Sequence, residues 1–347
     1  MALQAEIHKR LGRFTLDMAF EAGDETLALL GASGCGKSMT LRCIAGVEKP
    51  DSGRIILDGT VLYDSARGID MKPQQRRTGL MFQHYALFPN MTVLQNVMCG
   101  ARRGGRRPGR KDAAMLALES MGIGDLASRL PRQLSGGQQQ RTALARMLVS
   151  DPEVLLLDEP FSALDSHLRF RMEEEMRKVI REFGKTVLLV SHDRDEVYRL
   201  ADKVAIVKDG RVDRLDKRDA VFADPGSRTA CTLTGCKNIS SIRPLDGERV
   251  FAVDWGIPLK LSPEQGIDAL GLRMHAICPG EGENTFRCRV CDVIENPFSF
   301  TVMLRPLEAP EHSLPIGWEM EKELWRRMRA EEVTVHFPKN ALLQLKG

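Results

Sequence analysis

At 347 residues, with 43% hydrophobic and 28% charged side chains, the chain is long enough for two or three domains and has an ordinary globular composition. Its 50 basic and 47 acidic residues leave a net charge of +3, which gives no argument for a nucleic-acid partner. The first residues lack the apolar core of a signal peptide, and no run nears the roughly 18 apolar residues that span a bilayer, so the eight cysteines are expected as reduced thiols and any membrane role must come through a partner.

Residues 1–30 read as short strands, with 14–20 alternating roughly apolar and polar and 21–24 supplying a turn. The run 26–30 is wholly apolar but for Thr26, as in a buried strand. It leads into Gly31-Ala32-Ser33-Gly34-Cys35-Gly36-Lys37-Ser38, which fits G-x-x-x-x-G-K-[ST], and 39–45 can continue as a helix. Strand, glycine-rich loop, helix is the context this motif needs, and it argues against a chance match in a turn. Backbone N–H groups at such a loop and helix start make an anion site. Gly31 and Gly36 allow backbone angles that a side chain would forbid. Lys37 can reach the β- and γ-phosphates, and the Ser38 hydroxyl can ligate Mg²⁺. A nucleoside triphosphate is the expected ligand, with contacts running from Gly31 to Met39.

Further along, 54–59 and 61–63 read as a hairpin and 79–83 as a short strand. The pattern from about 93 to 150 is helical. Inside it, 101–111 is basic and rich in Gly and Pro; no aromatics interleave the charges, so it reads as a solvated loop more than a binder of polyanions or lipid head groups. The apolar runs 153–158 and 186–191 suit parallel strands buried on both faces, with an amphipathic helix at 166–183 between them and a hairpin at 204–212 after them. Past about 216 the texture shifts, and 224–227 looks like a domain end. Short β-type segments at 249–254, 270–277, 300–304 and 332–337 suggest a small antiparallel barrel. Cys288 and Cys291 form a C-x-x-C, but on a strand the two sulfurs would diverge, so core or surface thiols are expected over a metal site.

Asp158 ends a buried strand at the side where α/β sheets place ligands, as a carboxylate holding Mg²⁺ must. Glu159 adds a carboxylate able to orient or deprotonate an attacking water; the pair argues for hydrolysis, and a turn cap is the plainer alternative. Leu134-Ser135-Gly136-Gly137-Gln138 opens a helix and makes a second phosphate cradle, or a helix N-cap and no more. One chain cannot easily bring two cradles to one nucleotide. Two chains arranged head to tail can.

With Phe82-Gln83, VLLLDEP at 154–160, Ser162-Ala163-Leu164-Asp165 and Val190-Ser191-His192-Asp193, these motifs resemble the ATP-binding subunits of ABC transporters over about residues 1–230. The resemblance implies an α/β P-loop NTPase fold: an ABC ATPase core over 1–229 with a helical subdomain at about 84–150, then a C-terminal all-β TOBE-like barrel domain over 230–347. It implies ATP and Mg²⁺ as ligands. Gln83 would touch Mg²⁺ or the lytic water, and His192 would contact the γ-phosphate and position that water with Glu159. Taken alone, His192 after a β-run would read as structural. Asp165 would lie at a dimer interface, and Ser135, Gly137 and Gln138 would act in trans on the nucleotide of a second copy. For the aromatic that the family stacks on adenine, Phe14 and His8 are the candidates, and Phe14 reads as core.

A single ATP-binding domain followed by a β-domain resembles importer subunits. The segment 61–89, with Asp64-Ser65 and Arg76-Arg77, resembles the sulfate/molybdate group most closely and shares features with sugar, iron and polyamine importers. The expected function is therefore ATP-driven import of an oxyanion, molybdate first, through two copies of a membrane permease subunit. An extracytoplasmic solute-binding protein would supply the anion, and this chain would sit peripherally on the cytoplasmic face. The stretch 234–240 offers Thr234, Lys237, Asn238 and Ser240 to a regulatory oxyanion at the C-terminal domain, or is an ordinary β-turn. A soluble ABC ATPase of repair or translation would show two modules or a coiled-coil insertion, and a vestigial ATPase would lack Glu159 or His192.

Overall fold

The computed structural model describes residues 2–101, 109–162, 164 and 166–347. They form two compact units, residues 1–218 and 219–347. The first begins with β1 (Leu3–Leu11), β2 (Phe14–Ala22), β3 (Thr26–Gly31), α1 (Lys37–Ala45), β4 (Ser52–Leu57), β5 (Thr60–Asp64), β6 (Ile69–Asp70) and β7 (Thr78–Met81). It continues with α2 (Val93–Gly100), α3 (Arg110–Ser120), α4 (Gly136–Leu148), β8 (Val154–Asp158), α5 (Ser166–Phe183), β9 (Val187–Ser191), α6 (Arg194–Leu200), β10 (Lys203–Lys208) and β11 (Arg211–Lys217).

Two sheets result. An antiparallel one runs β2-β1-β4-β5-β6, and its strands alternate buried and exposed residues as a half-solvated sheet must. The other runs β11-β10-β3-β9-β8-β7, parallel from β10 to β7 with β11 antiparallel at the edge. Its middle strands β3, β9 and β8 are buried at every position, matching their unbroken apolar runs. One core joins both sheets to α1, whose Leu41, Cys43 and Ile44 are fully buried. Each such aliphatic side chain stabilises the fold by roughly 1.5–3 kcal/mol.

Helices α2, α3 and α4 close a separate small core around Val97, Leu118, Leu134 and Ala145. The helical pattern expected from about residue 93 begins at Val93, where Thr92 and Gln95 form a capping box. Before it, Tyr85 and Ala86 take left-handed backbone angles, and Arg146 of α4 holds their carbonyl oxygens at 2.7 and 2.8 Å. Of the basic run at 101–111, residues 102–108 lie outside the described residues.

The second unit carries α8 (Arg228–Leu233) after α7 (Arg218–Ala223), then β12 (Asn238–Pro244), β13 (Arg249–Ala252), β14 (Ile257–Lys260) and β15 (Ala269–Leu272). After them come β16 (Cys278–Pro279), β17 (Thr285–Glu295), β18 (Ser299–Pro306), β19 (Ile316–Glu321), α9 (Lys322–Met328), β20 (Glu332–His336) and β21 (Leu342–Leu345). The expected small all-β domain takes the form of two five-stranded antiparallel sheets, β14-β13-β12-β15-β21 and β16-β20-β17-β18-β19, over one core that includes Trp255, Trp318 and Phe337.

Three expectations for this unit meet specific geometry. The strand expected over 270–277 ends at Leu272, because Arg273 turns its guanidinium to the carbonyls of Thr234 and Phe222 and the chain continues as a 3₁₀ turn, Met274–Ala276. Cys288 is buried while Cys291, beside a bulge in β17, is exposed, so the two thiols do not share a ligand position. In 234–240, Thr234 donates to the Cys231 carbonyl and accepts from Arg273, Asn238 pairs with both backbone groups of Gly317, and Ser240 donates to Ser241 and accepts from Asp254. Those three side chains bond within the fold, while Lys237 is exposed.

Arg76, one of the two arginines that coloured the sequence reading, is 1% exposed. It donates to the carbonyls of Cys43 and Ile44 at the end of α1, to Met71 and to Asp70. It is a cationic C-cap for the helix that follows the glycine-rich loop. Arg77 instead pairs with Asp151 and Glu153 beside β8. Arg76→Ala should therefore lower unfolding free energy by about 3 kcal/mol in denaturant titrations, since it strands buried carbonyls. Arg76→Lys should rescue little, because a point charge cannot reproduce the fork.

Candidate nucleotide site

The parallel register of β3, β9 and β8 aligns Leu30 with Ser191 and Asp158 with Val190, so the loops after these strands gather at one edge of the sheet. Between β3 and α1, residues 32–36 make the glycine-rich turn. Gly36 takes φ +101°, and a Cβ there would lie 2.5 Å from Leu16 Cδ1, so both backbone and space demand glycine. As N-cap of α1 it offers no side-chain acceptor, which leaves the helix's first N–H groups for an anion. Ala32, Ser33 and Gly34 are exposed, and Cys35 is buried.

Lys37 is 4% exposed and folds back to donate to the carbonyls of Gly31 at 2.7 Å and Ala32 at 2.8 Å. Its ammonium is thus stored on the loop that would receive a phosphate. Ser38 donates to Asp158 Oδ1 at 2.7 Å, joining the first turn of α1 to the end of β8. Burial pushes the Asp158 carboxyl above the usual range, and the Ser38 hydroxyl and Arg42 pull it back. Met39 is half-buried against the first core, as is Phe14, whose ring underlies Gly36; His8 faces Asp17 at 3.8 Å on the neighbouring strand.

Glu159 is the next residue, and it points elsewhere. Its Oε1 lies 3.3 Å from His192 Nδ1 and its Oε2 accepts from Gln83 Nε2 at 3.3 Å. Its backbone has φ +45°, a left-handed angle that costs a non-glycine residue about 1–3 kcal/mol. The angle is held from both ends: its N–H donates to Val190, and its carbonyl accepts from the N–H and hydroxyl of Ser162. The strained peptide turns two successive carboxylates apart, one to the Ser38 hydroxyl and one to the Gln83–His192 pair.

His192 lies between Ser191 and Asp193, with its side chain 60% exposed. Asp193 caps α6 by accepting from the N–H groups of Asp195 and Glu196, and Arg169 of α5 donates to its other oxygen at 3.3 Å. The turn Ser135–Gln138 is a capping box at the start of α4: Ser135 accepts from Gln138 N–H, and the Gln138 side chain accepts from Ser135 N–H. Gly137 is packed 3.1 Å from Met172 Sδ by the measure of an added Cβ. No hydrogen bond among the described residues joins this turn to residues 31–38. Asp165 lies outside the described residues.

The chemistry-bearing residues Lys37, Ser38, Asp158, Glu159, Gln83 and His192 therefore meet, while Ser135, Gly137 and Gln138 form a separate helix start. Sequence reasoning missed Arg169 and Glu196, which brace the turn around His192. The spacing Asp193-x-x-Glu196 was the available signal, since an acceptor followed three residues later by Glu marks a helix start.

The family described as "ABC transporter" matches residues 15–162. The chain is 40% identical over 246 residues, 70% of each protein, to the "Fe(3+) ions import ATP-binding protein FbpC" of Haemophilus influenzae. It is 39% identical over 251 residues, 70% of this chain and 67% of the relative, to the "Spermidine/putrescine import ATP-binding protein PotA" of Pseudomonas aeruginosa. Among solved structures, a dimeric ATP-binding cassette in a post-hydrolysis state with ADP and Pi aligns with TM-score 0.53 and 30% identity, covering 63% of this chain and 99% of that one. With the phosphate loop, the acid pair and the importer-type relatives in agreement, the chain belongs to the ABC transporter family as an ATP-binding subunit of the importer type, an ATPase.

Proposed function

We propose that two copies of this chain close head to tail around two ATP molecules and drive import through a membrane permease, with the chain lying peripherally on its cytoplasmic face. The observation that carries the hydrolytic part is Glu159, whose carboxylate spans Gln83 and His192 while Asp158 keeps to Ser38. In this reading the N–H groups of the turn and α1 take the phosphates, and Lys37 swings from the Gly31 and Ala32 carbonyls to the β- and γ-oxygens. Glu159 accepts the proton of the attacking water, and His192 and Gln83 fix its line of approach. Ser135, Gly137 and Gln138 of the second copy present the start of α4 to the γ-phosphate; the Ser135 and Gln138 side chains build the cap and occupy each other's N–H, so the N–H groups of Gly136 and Gly137 are the donors. Asp165 is assigned to the dimer interface.

The donor set suits Mg²⁺: a serine hydroxyl and a carboxylate 2.7 Å apart are hard oxygen ligands of the kind this ion takes alongside phosphate, and the Gln83 amide oxygen is a third donor of that kind. When bound, the ion neutralises charge that develops on the phosphate oxygens. Ser38, Asp158 and Gln83 would hold it.

For the solute, the relatives favour a ferric ion or a polyamine over the oxyanion expected from sequence. The features behind molybdate have other uses here, since Arg76 caps α1, Arg77 pairs beside β8, and Thr234, Asn238 and Ser240 bond internally. An extracytoplasmic solute-binding protein would deliver the solute to the permease.

Two measurements test these readings. Glu159→Gln should lower kcat for ATP hydrolysis by about 10²–10⁴-fold while ATP still binds; a kcat within a few fold of wild type would remove Glu159 from the water-activating role. Uptake of labelled ferric ion, spermidine, molybdate and sulfate should be compared in cells carrying the chain or Lys37→Ala. Loss of ferric ion or spermidine uptake in the variant is expected, and loss of molybdate uptake alone would restore the oxyanion reading.

A further inference from the structure

The second unit holds a pair of thiols that the nucleotide chemistry does not touch. Cys231 lies in α8 and Cys236 just before β12, and they are 0% and 2% exposed. The helix ends in a backbone closure that sets them side by side. Gly235 takes φ +96°, its N–H donates to the Thr232 carbonyl at 3.0 Å, and Cys236 N–H donates to the Cys231 carbonyl at 3.0 Å. Those are the two bonds of a Schellman motif, whose first and last residues commonly share an apolar contact. Here that contact is sulfur to sulfur.

A third element makes room for both. A Cβ on Gly271 of β15 would lie 2.6 Å from Cys231 Sγ and 3.2 Å from Cys236 Sγ, so the two sulfurs lie over one glycine. Gly271 has no positive φ, so its strand position calls for glycine through the close approach of the sulfurs and not through the backbone. Ala269 and Leu345 complete the cluster around the pair. Among the described residues no third Cys, His, Asp or Glu gathers with it as a metal site would need. A disulfide, by contrast, adds no atom to this closed space. A backbone hydrogen bond between two residues also keeps their Cα atoms within the roughly 4.4–6.8 Å that a disulfide spans.

We propose that Cys231 and Cys236 are a peroxide-responsive pair: a hydroperoxide joins them in a disulfide that staples α8 to the start of β12, and reducing thiols reopen it. Cys236 is the sulfur suited to attack. Its S–H faces the Asn238 carbonyl at 3.3 Å in the resting pair. Once that proton leaves, the Cys231 thiol donates to the sulfur, and the Arg273 guanidinium and the N–H groups of Leu272 and Asn238 add to the pull that holds Cys236 below the usual thiol range in spite of burial. The sulfur takes the near oxygen of the hydroperoxide, the O–O bond breaks, and the alcohol or water that leaves carries the Cys236 proton. The sulfur of Cys231 then displaces the oxygen of the Cys236 sulfenic acid. An S–S bond forms, the S–O bond breaks, and water leaves with the Cys231 proton. Two thiols have lost two electrons and the hydroperoxide has gained them. Hydrogen peroxide is close to water in size, and brief local opening of the six-residue α8 admits it.

The experiment treats the full chain with hydrogen peroxide under native conditions, as wild type, Cys231→Ser and Cys236→Ser. Remaining thiols are then capped with N-ethylmaleimide in denaturant and the peptides mapped by mass spectrometry. The exposed Cys99 and Cys291 report that the oxidant has acted. Wild type should yield a 231–236 link, two hydrogens short of the dithiol, that dithiothreitol reopens. Oxidation should also raise the unfolding midpoint of its second unit by about 5 °C, because the link restrains the unfolded chain. Neither variant should show the link or the rise. Free thiols at 231 and 236 after Cys99 and Cys291 are oxidised would overturn the proposal. So would a sulfinic acid at either position without the link, a link that leaves the midpoint unmoved, or a rise that persists in the serine variants. No step needs ATP, so the outcome is independent of the proposed transport function.

Discussion

Everything at the nucleotide site depends on the parallel pairing of β3, β9, β8 and β7. Parallel strands end on the same side, so pairing Leu30 with Ser191, Asp158 with Val190 and Met81 with Leu157 brings four separate loops to one edge. The residues concerned are spread over more than half of the first unit's length in sequence, and no local rule could join them. The unbroken apolar runs in β3, β8 and β9 place these strands in the middle of the sheet, because parallel strands covered on both faces need apolar side chains at every position. A site with hard geometric demands is thus positioned by one of the least polar parts of the chain.

On that edge the local chemistry follows from small differences in direction. Asp158 and Glu159 are neighbours, yet one belongs to the Ser38 side and the other to the Gln83–His192 side. Lys37 occupies the loop carbonyls, which keeps a buried cation hydrogen-bonded without a phosphate. Arg76 at the far end of α1 sets positive charge against the helix's negative pole, while the opposite pole faces the turn that favours anions. The same helix is therefore braced electrostatically at its C-terminal end and left open to an anion at the other.

Much of this was legible in the sequence. Residues 31–38 announce themselves because a tight turn against Leu16 needs glycine at 36 and the chemistry needs Lys37 and Ser38. The strands 154–158 and 187–191 were visible because continuous apolar runs bounded by polar residues have few other uses. What stayed hidden depends on distant partners. Arg76 looks like any exposed arginine until α1 supplies the carbonyls it caps, and the strand over 270–277 is cut short because Arg273 finds Thr234 some 39 residues away. Glu196 reads as an ordinary residue of a helix's first turn; only the packing of α5 and α6 buries it. Solute choice was legible least of all, since Arg76, Arg77, Thr234, Asn238 and Ser240, which suggested an oxyanion, are engaged in holding the fold together.

The left-handed backbone of Glu159 has a consequence for how this protein can vary. Asn and Gly adopt that conformation more readily than Glu, so either would relieve strain that Val190 and Ser162 now hold in place. Both also remove the carboxylate. At this position, then, drift toward a tougher protein leads away from a working one, and a library screened only for heat resistance should enrich variants that have lost it.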